Sequence, residues 1–195
     1  MMAGTSMTVG RSTSRTDLAR FLLVAAILAP ACTPPAREPR AANGRELASI
    51  TVTSKDFLQG GRIPIDDTCD GKDRFPELSW SAAPEGTRSI VVIVDDPDAQ
   101  SGVFTHLLLY NIGPEVHRVG GDRQVEGARH GTNDMNAVRY SGPCPPRGEA
   151  HRYRFRVVAL DTAMDVREGL TRAEVDATMD GHVLGEGQIT AIFGH

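Results

Sequence analysis

Beyond residue 47 the apolar positions fall in short runs rich in β-branched and aromatic residues, at 50–54, 89–94, 104–112 and 153–160, each bounded by Gly, Pro or Asp. Such runs predict strands. Residues 90–94 are apolar at every position, so that strand belongs at the centre of a sheet with both faces covered. In the last run Tyr153, Phe155 and Val157 alternate with Arg152, Arg154 and Arg156, one buried face and one wet one, which favours antiparallel pairing. A helical signal appears once, after Thr171, where Glu174 three residues on completes a capping box and the run extends to about His182. No repeat is visible, and 12 prolines and 20 glycines are spread over many short connections. The expected fold is mainly β: an antiparallel β-sandwich-like domain with a few short helices and long loops.

The N-terminus follows a different pattern. Arg11, Arg15 and Arg20 precede an uninterrupted apolar run at 21–29, and Ala29, Pro30 and Ala31 lead into Cys32. The run falls well short of the roughly 20 residues that a membrane-spanning helix needs, so residues 1–31 read as a signal peptide. A cysteine placed directly after such a run resembles the bacterial lipoprotein signal, in which that cysteine is acylated. Cys32 is therefore the lipidation candidate, with ordinary secretion or a misplaced start as alternatives; Ala29, where that signal prefers Leu, and Pro30 depart from its pattern. Residues 32–46, rich in Pro, Ala and charge, read as a flexible linker, and 47–195 as one domain. The expected location is the cell envelope, on the periplasmic or outer face, with a membrane tether through lipid.

Charge narrows the partners. Without the three arginines and one aspartate that precede Cys32, 18 basic residues stand against 24 acidic ones, a formal charge of −6. A nucleic-acid partner is disfavoured, and any bound anion must be captured by a local pocket. If lipid consumes Cys32, Cys69 and Cys144 form an even pair in an oxidising compartment, which suggests a disulfide closing a loop of about 75 residues. Two buried free thiols are the alternative.

Candidate chemistry lies at the strand ends. Asp95, Asp96 and Asp98 follow the central apolar run, His106 opens the next, and His151 and Tyr153 open the last long one. The segments CDG at 69–71, FPELSW at 75–80, DDPDA at 95–99, His106 with YNI at 110–112, GTND at 131–134, YSGPCPP at 140–146, HRY at 151–153, ALD at 159–161 and GHVL at 181–184 occur in this order. In this order they resemble the phosphatidylethanolamine-binding protein family, which includes Raf kinase inhibitor protein, over about residues 50–193. The resemblance implies a small surface cavity for phosphate or a phosphoryl head group, with Asp96, Asp98, His106, His151 and Tyr153 at the ligand-site positions. Imidazole and Tyr hydroxyl groups donate to phosphate oxygens, and carboxylates fix His tautomers or receive an ammonium group. Two acids facing an anion are unfavourable, so one of Asp96 and Asp98 is expected to bond to protein groups instead. The chain departs from the family pattern at Gln100, Phe104, Asn136, Arg139 and Phe193. Phe193 lacks the hydroxyl of the usual Tyr, whereas Arg139 either adds a donor for phosphate or points to solvent.

The expected function is non-enzymatic binding of a small anionic ligand or phospholipid head group, without a cofactor and with a regulatory or inhibitory role in view. The alternative is a protein partner, such as an envelope protease or kinase that it inhibits. The chain contains no G-x-S-x-G, P-loop or H-E-x-x-H pattern, which disfavours catalysis. A metal site built from Asp96, Asp98, His106 and His151 is a further alternative, since two imidazoles with carboxylates suit several transition metals. His117, His130, His182 and His195 show no ligand spacing.

Overall fold

The computed structural model describes residues 46–195 apart from 122, 165 and 166; the signal peptide, Cys32 and all of the linker except residue 46 lie outside the described residues. In chain order the strands are β1 (Ala48–Ser49), β2 (Val52–Ser54), β3 (Leu78–Trp80), β4 (Ser89–Asp96), β5 (Phe104–Ile112), β6 (Arg118–Val119), β7 (Arg129–His130), β8 (Ala150–Leu160) and β9 (Val183–Gly194), with helix α1 (Arg172–Met179) before the last. They form a six-stranded sheet in the order β1-β9-β8-β4-β5-β7 and a three-stranded sheet in the order β2-β3-β6.

All eight residues of β4 are buried, as its two-sided apolar run requires. Ile90, Val92 and Val94 pack toward the small sheet, in one cluster with Val52, Leu78, Trp80 and Val119. Val91 and Ile93 pack on the other side with Leu170, Val175 and Met179. The large sheet is thus covered by strands on one face and by α1 with its flanking loop on the other. Alternation on β8 follows the sequence pattern: Tyr153, Phe155 and Val157 are buried, while Arg152 is exposed and Arg154 and Arg156 are partly so.

Four details depart from the sequence expectations. Pairing between the named strands is antiparallel except for β1 with β9, which run parallel because the chain enters alongside the free edge of β9 in its direction, and Arg62 adds a further parallel bridge to Ile192. The strand expected at 50–54 is split: the Ile50 amide donates to the Glu186 carbonyl at 2.9 Å, and the chain then crosses to the small sheet at Val52. Helix α1 has the capping box of Thr171 and Glu174, but it stops at Met179 with Asp180 as its cap, one turn short of His182, so a single α-helix and one 3-10 turn at Ile65–Asp67 stand where several helices were expected among the described residues.

The fourth is β9, whose 12 residues pair with β8 along almost its whole length and which hydrophobic patterning did not show. Its glycines dilute the apolar signal, yet the fold requires them. A Cβ at Gly187 would lie 1.7 Å from the Ile50 carbonyl oxygen, and one at Gly185 would lie 2.6 Å from that of Ala48. The close approach of the parallel edge is therefore possible only without side chains. The structure also joins Cys69 and Cys144 in a disulfide, Cα atoms 5.5 Å apart, which ties the loop before β3 to the segment before β8. Gly187→Ala is expected to cost about 3 kcal/mol, since neither backbone can yield without breaking the ladder; a urea melt matching the unsubstituted protein would show that the edge is loosely held.

Candidate functional site

Strict alternation along β5 would put His106 on the same face as Leu108 and Tyr110, toward α1. A bulge prevents it. β4 pairs Val94 with Leu107 but the next residue, Asp95, with Thr105, so His106 has no partner and the phase of the strand reverses. Thr105 then lies on the helix side, with its Oγ1 3.5 Å from Arg172 Nη1, and His106 turns to the opposite face. There its ring meets Tyr153 edge-on at 5.3 Å and Phe104 at 5.1 Å. The loop after β7 secures the bulge: Asp134 accepts the Thr105 amide at 2.6 Å, and the Asn133 side-chain amide donates to the carbonyls of His106 and Arg139 and to Ser141 Oγ.

The reversed phase brings His106 to a cavity of about 290 Å³ shared with Asp96, His151 and Tyr153. Phe104, Met135 and the prolines Pro145 and Pro146 supply its apolar walls. His106 Nδ1 lies 2.7 Å from the buried Ser141 carbonyl. A carbonyl can only accept, so Nδ1 carries the proton and Nε2 is left as a lone pair. Burial holds the His106 pKa below the usual 6.5, against the upward pull of the Ser141 carbonyl and of Asp96, Asp134 and Asp95.

His151 differs. Its Nδ1 lies 2.7 Å from Asp96 Oδ2 and its Nε2 3.2 Å from Glu149 Oε2. Burial works against its charge, but the two carboxylates outweigh it and raise its pKa above 6.5. Two imidazoles in one cavity are thus driven apart, one toward the neutral base and one toward the cation. Among the described residues the Tyr153 hydroxyl has no hydrogen-bond partner although the residue is fully buried, and burial, with Asp96 and Asp98 adding to it, raises its pKa.

Asp96, His106, His151 and Tyr153 come together as the resemblance implied, and Asp98 does not. Asp98 accepts from the Arg152 backbone amide and from its guanidinium in a two-pronged pair, which holds its carboxyl down to about 2 and turns it away from the cavity. Asp96 is committed to protein as well, accepting from the Asp98 amide at 2.8 Å and from His151. Both acids, not one, therefore bond to protein groups. Arg139 is exposed, donates to the Tyr140 carbonyl and does not line the cavity; Phe193 is buried opposite His151 on β9. The four-residue metal arrangement is not assembled: among the described residues the one group in metal-ligating reach is Cys69, Cys144 and His195, whose two sulfurs are bonded to each other.

Sequence reasoning missed three contributors. Ser141 acts through its carbonyl, which no side-chain motif reveals. Asn133 stood within a quoted segment without a role, and Glu149, two residues before His151, looked like an ordinary loop acid.

Two packed β layers with a polar cavity at the end of the central strands define a β-sandwich protein with a site compatible with ligand binding. The profile described as phosphatidylethanolamine-binding protein matches residues 53–194, and the chain belongs to that family. A protein of Aquifex aeolicus named only as UPF0098 is 41% identical over 152 residues, covering 75% of this chain and 89% of its own length. The crystal structure of the family homologue CT736 from Chlamydia trachomatis superposes with a TM-score of 0.71 at 32% identity, covering 75% of this chain and 98% of that one. A Mycobacterium tuberculosis relative, 30% identical over 145 residues covering 74% of this chain and 72% of its own length, is named as a candidate lipoprotein, LppC.

In an NMR titration His151 is expected to lose its proton above 6.5 and His106 below it. Glu149→Gln removes one carboxylate from His151 and should lower its midpoint without moving His106; an unchanged midpoint would mean that the contact does not persist in solution. The linkage follows from the signs. His151, raised in the folded state, contributes stability below 6.5 that is lost as pH rises through its folded value, whereas His106, lowered, loses stability as pH falls from 6.5 toward its folded value.

Proposed function

We propose that this protein is a non-enzymatic binder of a small anionic ligand carrying a phosphate or phosphoryl head group, held in the cavity of His106, His151 and Tyr153. The observation that carries the reading is the buried, unpartnered hydroxyl of Tyr153, a residue that lines a cavity shared by one imidazole with a raised pKa and one with a lowered pKa. A buried hydroxyl without a partner is costly, and a ligand oxygen relieves it. The Glu149 carboxylate, resting on His151 Nε2 with its side chain half exposed, supports the same reading, because it places an oxyanion where a ligand oxyanion would bind. Asp96 acts as a positioning residue, orienting the His151 ring through Nδ1.

The working location we propose is the cell envelope, with residues 1–31 removed as a signal peptide and the domain tethered through lipid on Cys32. The support is the sequence pattern before Cys32 and the lipoprotein designation of the M. tuberculosis relative.

Calorimetric titration of the purified, metal-free protein with phosphate and with phosphoethanolamine tests the binding reading. Saturable binding that His106→Ala weakens by at least about tenfold, as expected for removal of a buried polar contact, supports it. Absence of binding by a folded wild-type protein contradicts it and favours a role through a protein partner.

A further inference from the structure

Resting on the reading of this cavity as a phosphoryl site, we propose that it selects phosphoryl groups that bring their own proton, binding phosphate monoesters and inorganic phosphate as protonated monoanions in preference to phosphodiesters. The selection follows from which atoms facing the ligand can donate and which can only accept.

The Ser141 carbonyl, 2.7 Å from Nδ1 and buried, makes His106 a donor on its protein side. On the other side Nε2 is acceptor-only while the ring is neutral. Asp96 has both oxygens committed to protein, one accepting from the Asp98 amide and the other facing His151. The donors that a ligand could engage are His151 Nε2, once Glu149 yields, and the unpartnered Tyr153 hydroxyl, once the side chains that bury it shift. A phosphoryl group bound here meets two donors and one base.

An oxygen without hydrogen placed against His106 Nε2 sets lone pair against lone pair. The contact becomes favourable only with a proton between the two atoms. The charged and titratable groups around His106 are Asp95 and Asp96 on β4, Asp134 in the loop after β7, and His151 and Tyr153 on β8. The acids favour a charged ring, but burial outweighs them, so protonating His106 itself is disfavoured. The ligand is then the cheaper source. A phosphomonoester, with its second pKa near about 6, presents in its monoanion one P–OH together with two oxygens that share one negative charge, a form that predominates below that pKa and is still present as a minor species just above it. The P–OH donates to Nε2 while the anionic oxygens accept from Tyr153 and His151. A phosphodiester has no such hydrogen and leaves Nε2 unsatisfied, as a buried base facing an anion.

The test compares two probes that carry the same amine, phosphoethanolamine and glycerophosphoethanolamine, by calorimetry on the purified protein at about pH 6.5, near the monoester's second pKa. Wild type is expected to bind the monoester roughly tenfold or more tightly than the diester. Affinity for the monoester should weaken as pH rises past its second pKa, with proton uptake seen by repeating the titration in buffers of different ionisation enthalpy. His106→Gln, whose amide can turn its NH2 to the ligand, should remove the preference. Equal affinity of wild type for the two probes overturns this inference and leaves phosphoryl binding standing. Binding of neither probe overturns the phosphoryl reading itself. The wild-type comparison decides the matter even if the variant fails to fold.

Discussion

The two-sided burial of β4 is the constraint on which the rest depends. Eight consecutive buried residues can be accommodated only if both faces of the sheet are covered and both edges of the strand are paired. The small sheet and α1 meet the first requirement, β5 and β8 the second. Because β4 ends in Asp95 and Asp96, the same pairing delivers two buried carboxylates to the place where β5 begins and β8 begins, next to one histidine from each. Buried acids need partners. Arg154 and Arg172 approach Asp95 on one side of the sheet, and His151 answers Asp96 on the other. The core and the site are thus two ends of one strand.

One unpaired residue converts that arrangement into a cavity. The bulge at His106 costs a ladder position, and the loop after β7 restores its hydrogen bonds through Asp134 and Asn133. In return the imidazole leaves the helix face and joins Tyr153 and His151. Its tautomer follows from a single carbonyl, and the site acquires one imidazole biased toward the neutral base beside one biased toward the cation.

Much of the fold was legible. The all-apolar run at 90–94 foretold a central strand, the alternation of Tyr153, Phe155 and Val157 with arginines foretold a half-wet one, and Thr171 with Glu174 foretold a capped helix. β9 was not legible, because the glycines that allow β1 to approach it erase its hydrophobic pattern. The residue set of the site came from ordered motifs, not from periodicity. Simple alternation would have pointed His106 to the wrong face, since a bulge is a property of pairing register and leaves no mark on one strand's own sequence. Asp98 illustrates the converse: its position in the motif says nothing of Arg152, which becomes its partner only when β4 and β8 align.

The account rests on His106 being held as the tautomer protonated on Nδ1, with Nε2 open to the cavity. Long-range 1H–15N NMR of the imidazole rings at neutral pH measures this directly. The account predicts an unprotonated Nε2 on His106 and a protonated Nδ1, with the Nε2 resonance moving when phosphoethanolamine is added. A proton found on Nε2, or a His106 ring indifferent to the ligand while binding is observed, would contradict it.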